Sequence, residues 1–175
     1  IWNFFNIFFS MSLLSQSTVS NKISLSGIGI HTGKRVNLNI LPSSPNSGII
    51  FKRVDLKNNN IVIPNFENVS EVTLCTTISN QYGVKVSTIE HLMAAFLGLG
   101  IDNAVVELDS QEVPILDGSA KNFVKILKKT GLKNSDVPIK LIKINNSVEI
   151  KEGKKFISID KSNTTLEIEF EINYE

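Results

Sequence analysis

One cysteine, two histidines and no long apolar run set the limits of this 175-residue chain. Cys75 alone excludes an internal disulfide and a cysteine-rich zinc module, and it fits a reducing compartment. His31 and His91 are the only histidines, whereas a catalytic zinc usually takes three protein ligands and a water. An excess of either charge is also missing: 18 Lys and Arg face 17 Asp and Glu, and the basic pairs Lys128-Lys129 and Lys154-Lys155 are isolated. A nucleic-acid binder usually shows a basic stripe, so no nucleic-acid partner is expected. The chain start lacks the positive segment and small-residue cleavage site of a secretory signal, and the apolar stretch 1–10 is too short to span a bilayer. With the lone cysteine, this points to a cytoplasmic protein without a transmembrane segment.

Residues 1–10 are aromatic-rich, uncharged and precede Met11. They read as translated upstream sequence, with Met11 as the start; the alternative is a membrane-touching tail. Beyond them, Ile23 and Leu25 mark one strand and Val36, Leu38 and Ile40 another, joined by the glycine-rich run Gly27 to Gly33. Further strand patterns begin at Ile49, Ile61 and Ala104, and Leu74–Ile78 with Val84–Val86 reads as a hairpin. A helix beginning near Ser119 carries the apolar stripe Ala120, Phe123, Val124 and Leu127, with lysines late and Gly131 as its stop. Asp117 is the simplest cap for it. Leu132–Asp136 reads as a polar connector. After Pro138 only period-two strand patterns follow, over 139–144, 148–150, 156–159 and 166–172. The expected class is α+β, with a first domain over 11–131 and the start of a second, similar domain over 132–175.

The most informative stretch runs from Ser87 to Gly98. Ile89, Leu92, Met93, Phe96 and Leu97 recur at helical spacing, while His91, Ala94, Ala95 and Gly98 lie opposite, without Lys or Arg. A surface helix would carry charge there, so a second layer is expected to cover this side. Glu90 has two readings. Ser87-x-x-Glu90 is a capping box, with Glu90 reaching back to the Ser87 amide; alternatively, Glu90 is a general base beside a metal-bound water. His91 is either a structural residue or a metal ligand, its place in the first helical turn favouring the neutral imidazole that binds zinc. His31 is a pocket residue, a second metal contact or a turn residue. Cys75 reads as a small buried hydrophobe. Asp102, Asp109 and Glu112 are scattered and suggest no site.

Five blocks come in a familiar order: Gly27–Lys34, Leu74–Thr77, Ser87–Leu92, Gly98–Asn103 and Pro114–Ala120. In that order they resemble the UDP-3-O-acyl-N-acetylglucosamine deacetylases, zinc amidases of lipid A synthesis. The resemblance runs from about Ser20 to Glu175. It implies two similar α+β domains whose helices meet in the middle, Zn2+ as cofactor, His91 as a zinc ligand and Glu90 as the general base. Zinc would polarise the acetamide carbonyl and acidify a bound water, and a histidine would protonate the leaving amine. The implied partner is a UDP-linked acylated amino sugar, whose acyl chain implies transient contact with the inner membrane. His31, Cys75 and Tyr174 become substrate-binding candidates. Asn173-Tyr174 stands where the family has an acidic residue and a Phe near the uridine.

The family's other two zinc ligands, in a second-domain His-x-x-x-Asp motif, and its later general-acid His find no match here. The oxyanion-stabilising Thr and the helix enclosing the acyl chain also find none. The expectation is a truncated reading frame whose product, alone, binds zinc poorly and does not deacetylate. A different class of reading is a non-catalytic α+β module that binds a partner through the uncovered helix face.

Overall fold

The computed structural model describes residues 14–140, 144–162 and 167–173. Two compact units divide the chain, 1–139 and 140–175. The sequence-derived boundary and this division differ by one strand. The Leu132–Asp136 segment, read as a connector, lies within β10 (Leu132–Pro138), which pairs antiparallel with β1 (Ser15–Val19).

The first unit is built on a five-stranded sheet. In chain order its strands are β2 (Ile23–Ile28), β3 (Arg35–Pro42), β4 (Ile49–Arg53), β5 (Ile61–Val62) and β9 (Ala104–Leu108). They lie in the order β2-β3-β9-β4-β5. Only the β4–β9 pair is parallel, with Ile49 opposite Ala104. Alternate residues Val36, Leu38 and Ile40 of β3 and Ala104, Val106 and Leu108 of β9 are fully buried, as a half-covered sheet requires. They share one core with Leu92, Ala95 and Phe96 of helix α1 (Glu90–Leu99) and Phe123 and Leu127 of helix α2 (Lys121–Thr130). A small second sheet holds β6 (Val69–Glu71), β7 (Thr77–Ser79) and β8 (Lys85–Val86). A mixed five-stranded sheet, a small antiparallel sheet and, among the described residues, two α-helices bear out the α+β class.

The period signal missed β1 because its burial is polar. Gln16 and Ser17 are each 5% exposed. The Gln16 amide donates to Asn46 Oδ1 and the Pro138 carbonyl, and its oxygen accepts from the Asn46 amide and Asn103 Nδ2. Asp102 accepts from the Ser17 amide at 2.7 Å, and the Ser17 hydroxyl donates to the Gly100 carbonyl. Buried polar groups need such partners, and here they stitch β1 to the end of α1.

Helix α1 stops at Gly100, which takes φ 66 in the left-handed region. The Gly100 and Ile101 amides return to the carbonyls of Leu97 and Phe96, a Schellman closure with Ile101 buried. Leu97, expected in the buried stripe, is instead 74% exposed. It shares the open side of α1 with Ala94 and Gly98. Asp117 does not cap α2. It accepts from the Ser119 amide and hydroxyl, and the Ser119 hydroxyl in turn accepts from the Lys121 amide at 3.1 Å.

In the second unit, β11 (Val148–Glu152) and β12 (Lys155–Ile159) form an antiparallel hairpin closed by Gly153 at φ 58. Every residue of both strands is exposed. Residues 167–173 are not a strand, in contrast to the sequence pattern. Of the expected strand over 139–144, residues 139, 140 and 144 are not extended in a sheet, and 141–143 lie outside the described residues. Among the described residues, no helix is long and apolar enough to cross a membrane.

Candidate functional site

The site starts at the end of β2. The chain turns tightly from Gly29 to Lys34, with the Gly33 amide donating to the Gly29 carbonyl at 2.9 Å. This turn presents two consecutive amides, His31 and Thr32, to one carboxylate: His31 N donates to Glu112 Oε1 at 3.0 Å and Thr32 N to Oε2 at 2.8 Å. A Cβ at residue 29 would collide with that carboxylate and with the Thr32 hydroxyl. The glycine run is therefore an anion cradle, but its anion is a side chain of this protein.

Glu112 is fully buried. It also accepts from the Thr88 hydroxyl at 3.1 Å. Burial pushes its pKa up, but the bonds from the His31 amide, the Thr32 side chain and amide and the Thr88 hydroxyl outweigh this and hold it below the usual value. Backbone bonds reinforce the tie: Ser87 N donates to the Gln111 carbonyl at 2.8 Å and Val113 N to the Ser87 carbonyl at 3.0 Å. Thr88 takes φ 57, a left-handed conformation that is a genuine outlier for a β-branched residue. Sequence reasoning passed over Glu112 because its donors reach it from distant segments and leave no local spacing.

Helix α1 opens two residues after Thr88. Ile89 occupies the cap position without a side-chain bond, and the Ser87 hydroxyl donates to the Gln111 carbonyl. The capping box is therefore not formed. Glu90 turns the other way: its Oε2 accepts from the Thr76 amide at 3.1 Å, beside Cys75. Leu74, at φ 61 and 86% exposed, enters the same turn in a second left-handed, non-glycine conformation. Positions of this kind cluster at functional sites.

His91 follows on α1, half-buried, with its Nδ1 shielded from solvent and without a hydrogen-bond partner. A buried ring nitrogen left unpaired is costly, and a neutral imidazole nitrogen is the donor that zinc takes. His91 thus fits one ligand of a zinc site. No group of three His, Cys, Asp or Glu capable of holding a metal occurs among the described residues.

His31 and Cys75 line one cleft of about 390 Å3, together with Thr77, Ser87, Glu71 and Lys85. Cys75 is half-buried rather than a core hydrophobe, its Sγ 3.6 Å from the Thr77 hydroxyl. The structure brings these two candidates together, and Glu90 bonds the amide of Thr76, the residue after Cys75. His91 does not line that cleft. Tyr174 lies outside the described residues.

Comparison with known proteins decides the family. The sequence model for UDP-3-O-acyl N-acetylglycosamine deacetylase matches residues 16–175. The chain belongs to this family. A relative from Shewanella baltica (strain OS155), named UDP-3-O-acyl-N-acetylglucosamine deacetylase, is 43% identical over 147 residues, covering 84% of this chain and 48% of the relative. A relative of the same name from Shewanella oneidensis is 42% identical over the same length and shares. The chain spans about half the length of the curated deacetylases it matches.

Proposed function

We propose that this chain carries the general base and one zinc ligand of a deacetylase acting on a UDP-linked, 3-O-acylated N-acetylglucosamine, on the route to lipid A. The observation that carries the reading is the start of α1. There a carboxylate, Glu90, adjoins a histidine whose shielded ring nitrogen has no partner. This lies inside a chain that matches the deacetylase family over most of its length. Bound zinc would supply Lewis acidity toward the acetamide carbonyl.

The chain's own residues do the following. His91 offers Nδ1 as the donor atom. Glu90 accepts a proton from the attacking water; among the described residues only its Oε2 is engaged, by the Thr76 amide. The cleft bearing His31 and Cys75 takes part of the amino sugar, with His31 assigned no step. Tyr174 is the candidate for the uridine. The remaining ligands and the general acid come from outside these residues, so residues 11–175 alone bind zinc poorly and do not turn over. The protein works in the cytoplasm, and the acyl chain brings it into transient contact with the inner membrane.

The test is a chimera in which this chain is followed by the unmatched half of the Shewanella baltica relative. Acetate release from the UDP-linked substrate by the folded chimera, with none from this chain alone, is expected. A folded, zinc-loaded chimera that releases no acetate would overturn the reading and favour a non-catalytic module that binds through the uncharged side of α1.

A further inference from the structure

Glu112 poses a question that the proposed chemistry does not answer. It is a fully buried carboxylate whose partners are neutral donors, and no ion pair engages it among the described residues. A well-packed apolar residue usually serves stability at least as well as a buried charge. The donors come from two segments far apart in sequence. One is the His31–Thr32 turn; the other is Thr88, which leads into α1. Gly29 admits the carboxylate only because it lacks a side chain. Thr88 sits in a conformation that β-branched residues avoid, and its hydroxyl is fixed by the same carboxylate.

We propose that Glu112 is a positioning residue that clamps Thr88 in its left-handed conformation and so fixes the first turn of α1, with Glu90 and His91, against the His31 turn. The proposal rests on the reading of Glu90 and His91 as the reaction centre. Among the described residues Glu112 hydrogen-bonds neither of them. Its carboxylate sets where the helix begins, and the Thr76–Glu90 bond then marks the orientation of the Glu90 side chain.

Thr88→Gly separates this role from simple stabilisation. Glycine accepts φ 57 freely, so the backbone is relieved while the hydroxyl tie is lost. Thr88→Ser keeps the hydroxyl and is the conservative rescue. In the 175-residue chain, the amide resonance of Thr76 and the ring resonances of His91 and His31 report the geometry without substrate. We expect Thr88→Gly and Glu112→Gln to shift or broaden these signals, and Thr88→Ser to keep them near their wild-type positions. In the chimera, Thr88→Gly is expected to lower kcat on the order of 100-fold with KM little changed, the size of loss a small misplacement produces. If Glu112→Gln does not fold, Thr88→Gly still decides. A folded Thr88→Gly chain with wild-type resonances would overturn the proposal, whatever the chimera does. An inactive chimera whose variants still shift the resonances would overturn the proposed function alone.

Discussion

The five-stranded sheet of the first unit and the hairpin of the second carry the same alternation and end in opposite surroundings. In β3, Val36, Leu38 and Ile40 are all fully buried. In the hairpin, Val148 faces Ile159 and Ile150 faces Ile157, an apolar ladder on one face, yet these residues are 51–70% exposed. Alternation dictates which residues share a face; it does not supply the layer that covers that face. In the first unit α1 and α2 supply it. The stability of the chain therefore resides in the first unit, and the candidate site is built on that covering layer.

The largest effect that would break this contrast is loss of a core aromatic. Phe96→Ala removes a fully buried ring from α1 and is expected to cost about 3–5 kcal/mol, read as a lower urea midpoint. A comparable loss from Ile157→Ser in the hairpin would erase the distinction.

Glu112→Ala comes next. It strands the His31 and Thr32 amides and the Thr88 hydroxyl, so a loss of at least about 1–3 kcal/mol is expected from urea unfolding at neutral pH. The pH dependence has a definite sign. The native carboxyl lies below its ordinary value of 4.5, so its contribution is fully present above that value. It is lost as pH falls through the depressed native value. Wild type and Glu112→Gln should therefore converge in stability as the medium is acidified, and a constant gap across that range would contradict the assignment.

Ser119→Ala is expected to cost about 1 kcal/mol in thermal or urea unfolding, because the hydroxyl that accepts the first amide of α2 is removed. Asp117→Ala should cost less, since it reaches α2 only through Ser119. The smallest effect is expected for Ile157→Ser, within about 0.5 kcal/mol, because the residue is 70% exposed.

Much of this was legible beforehand where burial is apolar and local. The strands holding Ile23, Leu38, Phe51 and Val106, and both helices, follow from period alone. β1 and β10 were not legible, because Gln16, Ser17 and Asn103 are buried through hydrogen bonds that leave no apolar rhythm. Of the two readings of Glu90, the capping box fails for a related reason: the spacing allows it, but Thr76 offers Glu90 a competing amide. The adjacent pair Glu90-His91 stood out in the sequence. Glu112, which binds the segment leading to that pair, did not, because its partners are backbone and hydroxyl donors brought together only by folding.

The central claim is that Glu90 does chemistry rather than merely hold Thr76. The most direct measurement is kcat for acetate release by the active chimera and its Glu90→Gln variant, at saturating substrate. Glutamine keeps an oxygen for the Thr76 amide but cannot take a proton at neutral pH. The account predicts a fall in kcat of roughly 100-fold or more with KM little changed. A variant that folds, retains zinc and turns over at the wild-type rate would contradict it and leave Glu90 as a tie between α1 and the Cys75 turn.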